Sequence, residues 1–156
     1  MDDLDKRILE ALQENADLTH AELAKLVHSS APTCMRRVQR LKAEGWIARQ
    51  VAILDADKIG RELGWGLHAI VEVSLEQQTA QWLDDFERAA CASAVVQQCW
   101  RTTAGPDFVL VLHVADMPAY QAWASAFLGS NLQVRHVKTY FSSKCAKFGV
   151  ALSWPS

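Results

Sequence analysis

No stretch of the 156-residue chain approaches the roughly 18–20 consecutive apolar residues that a membrane-spanning helix requires. The N-terminus lacks the basic opening of a secretory leader and begins instead with Asp2, Asp3 and Asp5, so the expected address is the cytoplasm, away from any membrane. Four cysteines are present, Cys34, Cys91, Cys99 and Cys145, but no Cys-x-x-Cys pair and no histidine at metal-ligand spacing from them. Scattered thiols of this kind predict small apolar fillers and no metal site. There is no Gly-rich phosphate loop and no G-x-S-x-G nucleophile motif, so neither a cofactor nor an enzymatic activity is expected. The five histidines, His20, His28, His68, His113 and His136, lie far apart; the last three fall on predicted adjacent strands, but ordinary surface or core positions are expected for them. A formal net charge of −2 excludes a generally polybasic nucleic-acid binder.

Charge is nevertheless unevenly placed. Residues 30–44 hold Arg36, Arg37, Arg40 and Lys42 against Glu44 alone, a local net charge of +3, and it is the local patch that a phosphate backbone senses. The surrounding pattern is helical. Leu4, Ile8, Leu9 and Leu12 mark a first helix with acidic residues in its first turn. Thr19 with Glu22 forms a capping-box pattern for a short second helix, and Leu18 with Leu23 suits a hydrophobic staple. Ser30 is the natural N-cap of a third helix, with Pro32 harmless in its first turn and Gly45 beyond its end. At about 100° per residue, Cys34, Met35, Val38 and Leu41 share one side, and Thr33, Arg36, Arg37 and Arg40 lie roughly 140° away.

Helix, short helix, tight turn and basic amphipathic helix is the order of a helix-turn-helix, whose last helix enters the major groove of DNA. Residues 46–53 alternate weakly, as a wing strand would, and Arg49 there could reach a phosphate. Three arginines on one helical face are also what a plain solvated face carries. The short capped helix before them, and the lack of any acid among them, favour DNA.

From 65 onward the period changes to two. Trp65, Leu67, Ala69, Val71, Val73 and Leu75 fall on one face of a strand; a helix carrying Trp82, Leu83 and Phe86 follows. A second strand at about 95–103, a Gly105-Pro106-Asp107 turn and an apolar third strand at 108–114 come next. Asp116 caps another helix, with Tyr120, Trp123, Phe127 and Leu128 on one stripe, and a last strand spans about 134–141. The order βαββαβ predicts a ferredoxin-like sandwich with strands one and three central and both helices on one face. Ile70, Val109 and Val111 would then lie on the uncovered face, which predicts a second subunit there. The fold class expected is α+β: a winged helix-turn-helix over 1–54, a linker over 55–64, and a ferredoxin-like effector-binding and oligomerisation domain over 65–156.

Taken in order, these residues resemble the Lrp/AsnC family of transcription regulators over nearly the whole chain. The resemblance rests on Leu4-Asp5, Ile8-Leu9, 18–24, Ser30, Arg37-Val38, Arg40-Leu41, Gly45, Ile47, Leu54-Asp55 and Ile59-Gly60 in the first half. In the second half it rests on Asp107-Phe108, on 116–120, and on Thr139 and Lys144. It implies a sequence-specific regulator of amino-acid metabolism that binds a palindromic duplex through Ser30, Thr33, Arg36, Arg37, Arg40 and Arg49. It further implies dimers assembling into tetramers or octamers, with an amino-acid-like effector at the contact between dimers. Carried over by position, the effector residues are Thr102, Ala104, Gly105, Asp107, Phe108 and Thr139. Physically, turn amides could take a carboxylate and Asp107 an ammonium group; the alternative is a hairpin in which Asp107 only ties its own turn. The chain departs from the family pattern at His28, where the turn usually has glycine, at Ala104, and in 129–132, which lacks the usual Pro-Gly. Two other functions remain open at this point: a tetrapyrrole (sirohaem-type) decarboxylase of similar architecture, and a metabolite sensor without DNA binding.

Overall fold

The computed structural model describes residues 1–64, 66–130 and 132–153. Trp65, expected on the inner face of the first strand, and Asn131, in the segment before the last one, lie outside them. The chain divides into two compact units, Met1–Ile53 with Lys147–Ser156, and Leu54–Ala146.

In the first unit, helix α1 (Asp3–Glu14) is opened by a reciprocal cap: Asp5 N–H donates to the Asp2 carboxylate at 2.9 Å, and Asp2 N–H to that of Asp5 at 3.0 Å. Helix α2 (His20–Leu26) has the expected Thr19/Glu22 capping box, and Leu23 beneath it is buried. Helix α3 (Ala31–Ala43) is capped by Ser30. It ends in a Schellman turn: Trp46 N–H reaches Leu41 O at 2.9 Å, Gly45 N–H reaches Lys42 O at 3.1 Å, and Gly45 takes φ +79°. The amphipathic faces of the three helices close on Ile8, Leu9, Leu23, Ala24, Val27, Cys34, Val38 and Leu41. Met35, expected on the same stripe, lies at its margin and is 43% exposed. Between α2 and α3 the chain turns at His28, whose φ is +52°. A side chain in this left-handed region is strained by its own Cβ, a cost glycine does not carry.

The wing strand expected over 46–53 does not form; no ladder runs through these residues. A strand needs a neighbouring backbone to satisfy its N–H and C=O groups. Here the Trp46 and Ile47 amides turn back to Leu41 O, and Gln50 donates from its side chain to Ala16 O. The C-terminal residues also differ from the expected division. Leu152 is clamped by Gln13 of α1, its N–H donating to Gln13 Oε1 at 2.7 Å and its carbonyl accepting from Nε2 at 3.2 Å, so 147–153 groups with the first unit.

In the second unit the stretch expected as a linker contains helix α4 (Ala56–Leu63), capped by Asp55 and closed at Gly64 with φ +63°. Asp55 and Gly64, the bounds of that expected linker, are as a pair start and stop signals for one short helix. Strands β1 (Leu67–Leu75), β2 (Val96–Arg101), β3 (Phe108–Val114) and β4 (Val134–Phe141) make an antiparallel sheet in the order β2-β3-β1-β4, with β3 and β1 central as expected. Helices α5 (Ala80–Ala92) and α6 (Met117–Leu128) cover one face. Phe86 and Ala90 pack with Ala69, Val71, Val73, Leu75, Phe108, Leu110 and Leu112, and Tyr120, Trp123, Phe127 and Leu128 close over them. β2 ends sooner than expected, because the Thr102 N–H already closes the hairpin on Asp107 O at 3.0 Å, and a register shift between Val96 and Gln98 interrupts its start. The opposite face is left with Ile70 43% exposed, Val111 opposite it and Trp100 opposite Val109.

Replacing His28 with glycine is expected to raise the unfolding free energy of the first unit by about 1 kcal/mol, since the left-handed backbone loses its steric cost. His28→Ala, which keeps a Cβ, is the control, and urea denaturation is the measurement. A destabilised glycine variant would mean that the imidazole contributes more than the backbone costs.

Candidate nucleic-acid interface and effector hairpin

The apolar stripe of α3 is inward, so its far side faces solvent, and there Arg36 and Gln39 are exposed. Arg36 makes no hydrogen bond or ion pair among the described residues. Ser30 and Thr33 lie at the start of the helix and are engaged with each other, Ser30 Oγ donating to Thr33 Oγ1 at 2.8 Å while accepting the Thr33 N–H at 3.4 Å. Arg49 is exposed on the extended segment after the helix.

Arg37 and Arg40 are placed differently from expectation. Arg37 Nη1 binds the Asp2 carboxylate at 2.6 Å and Asp5 Oδ1 at 2.9 Å; Arg40 Nη2 binds Asp5 Oδ2 at 2.6 Å, and its Nε lies 3.6 Å from Glu44. The Asp5 side chain is only 1% exposed. It lies close to the surface and is shielded by the two guanidiniums that cover it, not by depth. The sequence shows no acid among the arginines of α3, but the carboxylates come from the first turn of α1, more than thirty residues earlier, once α1 packs beside α3. Arg37, expected to face DNA, is instead clamped to the first turn of α1, and Arg40, 46% exposed, is divided among Asp5, Glu44 and solvent.

Titration reflects this pairing. The Arg37 hydrogen bond, followed by the Asp5 backbone N–H, lowers Asp2 to about 2. For Asp5, burial pushes upward, but the Asp2 N–H, Arg37 and Arg40 outweigh it and hold the carboxyl below its ordinary value. Arg37 is raised in turn, first by Asp2 and then by Asp5. Gln39 is the surface residue that charge counting misses, because an amide adds nothing to a charge sum; its place on the helical wheel beside Arg36 was the available signal.

The six effector positions are not one surface within the chain. Thr102, Ala104, Gly105 and Asp107 share the β2–β3 hairpin, in which Gly105 takes φ +82° with open space around it. Asp107 is 7% exposed. Its Oδ2 accepts the Leu75 N–H at 2.7 Å, its own N–H donates to Val73 O at 2.9 Å, and its carbonyl accepts the Thr102 N–H at 3.0 Å. This carboxylate ties the hairpin to the end of β1, and one of its oxygens is already engaged. Thr102 Oγ1 donates to Pro106 O. The Phe108 ring is fully buried in the core, which removes it from direct ligand contact. Thr139 is on β4, across β1 from Leu110, and its hydroxyl lies 2.7 Å from Tyr120 OH of α6.

Of the three strand histidines, His68 and His113 face each other across β1 and β3 with ring centroids 4.5 Å apart, while His136 is opposite Ser74. Burial, and then the neighbouring His68, lowers His113. No cluster of three metal-ligating side chains occurs among the described residues. No helix among them is long and apolar enough to cross a membrane.

Residues 1–42 match the AsnC-type helix-turn-helix domain, and residues 68–151 match the Lrp/AsnC ligand binding domain. An uncharacterized HTH-type transcriptional regulator of Haemophilus influenzae is 34% identical over 90% of this chain and 82% of its own. Among solved structures, an AsnC family transcriptional regulator from Agrobacterium tumefaciens superposes with a TM-score of 0.87 at 30% identity, covering 98% of this chain and 97% of that one. A transcriptional regulator from Neisseria meningitidis in complex with L-Met has a TM-score of 0.85 at 28% identity, covering 98% and 96%.

Removing the shared carboxylate should be felt mainly as stability. Asp5→Ala is expected to cost the first unit about 2 kcal/mol, below the range for deeply buried pairs because solvent is close by. Asp2 and Asp5 both ionise below their ordinary 3.8, so their contribution is complete above about pH 4 and is lost as pH falls through the folded values, about 2 for Asp2. Circular dichroism over pH 5 to 1.5 should show this acid limb in the wild type and a flatter one in Arg37→Ala. An identical acid limb in both would contradict the clamp.

Proposed function

The chain belongs to the Lrp/AsnC family of transcriptional regulators, and from that premise we propose that it reads a palindromic DNA duplex as a homodimer under the control of an amino-acid effector. The observation that carries the DNA half is the outward face of α3, where Arg36 stands exposed and unneutralised beside Gln39 on a helix whose opposite side is locked into the core. A helix presented in this way enters the major groove, where arginine pairs with guanine and glutamine with adenine. Ser30, Thr33 and Arg49 supply phosphate contacts at the two ends of the motif, and Arg40 shares its remaining donors with a phosphate. Arg37 contributes by holding α3 in place.

The dimer is supported by the open face of the sheet. Ile70, Trp100 and Tyr140 are 43%, 59% and 42% exposed, and Val109 and Val111 lie between them, a concentration of apolar side chains that a second copy would cover. Two copies place two α3 helices for half-sites about one helical turn apart. Assembly of dimers into tetramers or octamers would bring a second hairpin against residues 102–107 and complete a site that one chain leaves open. An amino acid fits that site, its carboxylate on the turn amides around Gly105; the Neisseria relative crystallised with L-Met supports this class of ligand. On this reading the protein acts in the cytoplasm and is not an enzyme, which the naming of its relatives as regulators supports. No observation favours the decarboxylase reading or a sensor without DNA binding.

Selection from a random duplex library with the full-length protein is expected to enrich a palindrome. On the selected duplex, Arg36→Ala should weaken binding about tenfold or more with an unchanged Tm. Arg37→Ala should lower Tm as well as affinity. Enrichment of no palindrome, or full affinity for Arg36→Ala, would refute the assignment.

The effector half is tested by thermal shift across the amino acids. Stabilisation that grows with concentration is expected for a subset of them, by about 3 kcal/mol at a hundredfold excess over Kd, and it should be lost on replacing Gly105 with valine. A shift that survives in Gly105→Val would place the ligand elsewhere.

A further inference from the structure

Cys34 is fully buried in the first unit, as a filler should be, and Cys99 of β2 is half-buried against the core of the second, whereas Cys145 and Cys91, the latter in the last turn of α5, are exposed. Asp84, Glu87 and Cys91 recur at i, i+3 and i+7, one edge of α5. Arg101 of β2 holds that edge in register, its Nη2 2.7 Å from Asp84 and 2.9 Å from Glu87. Cys99 lies two residues before Arg101, on the same side of the strand and further back along it, which brings it against Cys91. Cys91 is near enough that, after burial, it is the next cause of the raised Cys99 thiol.

We propose that Cys91 and Cys99 form an oxidisable dithiol that a peroxide closes into an intramolecular disulfide, joining the last turn of α5 to β2. Cys91, the thiol that solvent reaches, attacks one peroxide oxygen as the thiolate; the S–O bond forms, the O–O bond breaks and the departing oxygen leaves as water. Cys99 sulfur then displaces the oxygen from the Cys91 sulfenic acid, so that the S–S bond forms, the S–O bond breaks and a second water carries off the Cys99 proton. In total two thiols and one peroxide become one disulfide and two waters; each sulfur gives up one electron and the peroxide takes two. Burial, and then the neighbouring Cys91, pushes the Cys99 thiol up to about 11, which keeps it protonated until Cys91 has reacted. The bond would staple the edge strand that carries Trp100 on the open face and leads into the 102–107 hairpin. This thiol chemistry stands independently of DNA or effector binding.

The test uses the full-length reduced protein, treated with hydrogen peroxide under native conditions, alkylated and analysed by intact mass and peptide mapping. The expected product has lost two hydrogens, contains a Cys91–Cys99 linked peptide, leaves Cys34 and Cys145 unlinked, and reverts with dithiothreitol. Cys99→Ser removes the resolving thiol and should leave Cys91 trappable by dimedone. Cys91→Ser should slow oxidation of Cys99 by about tenfold or more, because the half-buried thiol lacks both access and thiolate. Direct passage of Cys91 to sulfinic acid in the wild type would overturn the proposal, as would a disulfide between two chains, or no dimedone adduct in Cys99→Ser.

Discussion

A single carboxylate ties the first unit together. Asp5 caps its own helix through the Asp2 amide and accepts both Arg37 and Arg40 from α3, so the start of α1 and the middle of α3 are held to one point. Its shielding from water makes the arrangement stringent: an ionised group with 1% exposure is tolerated only while its hydrogen bonds are complete. The apolar packing of Cys34, Val38 and Leu41 is non-directional and would permit α3 to rotate or slide by small amounts. Two charge-assisted bonds from α3 to one buried residue do not. Which residue α3 turns outward, and therefore which side chains meet a groove, follows from that clamp.

The division of labour among the arginines has a consequence for recognition. If all of them reached DNA, the helix would be specified only by its hydrophobic stripe. With Arg37 committed to α1 and Arg40 shared, part of the cationic surface is given up to fix the helix, and on the proposed reading Arg36 would carry more of the discrimination. The same economy appears in the effector hairpin, where Asp107 is engaged by the Leu75 amide and holds the turn in shape. In both places a charged residue expected to meet a partner is instead engaged by its own chain.

The second unit is governed by one-sidedness. Alternation in β1 sends Ala69, Val71 and Val73 beneath α5 and α6, and sends His68, Ile70 and Glu72 to the other face. A sheet with two helices on one side and exposed isoleucine and tryptophan on the other has buried only half of what its composition supplies. The open face is the surface that a single copy leaves exposed.

Much of this protein was legible in the order of its residues. The capping residues Thr19, Ser30 and Asp116, the inward stripe of α3, the two-residue period of β1 and the βαββαβ order are local patterns, set by backbone geometry within a few positions. The resemblance to a regulator family added the function that those patterns outlined. What local pattern did not determine was every pairing between distant segments. Asp5 with Arg37 and Arg40, Gln13 with Leu152, and Asp107 with Leu75 join groups that meet only after helices and strands have packed. The wing failed for the same reason, since alternation can make a segment strand-like but cannot supply the second backbone it must pair with. Sequence sets what each element is; tertiary structure alone decides which charges remain free, because neutralisation depends on distance in space and not on distance along the chain.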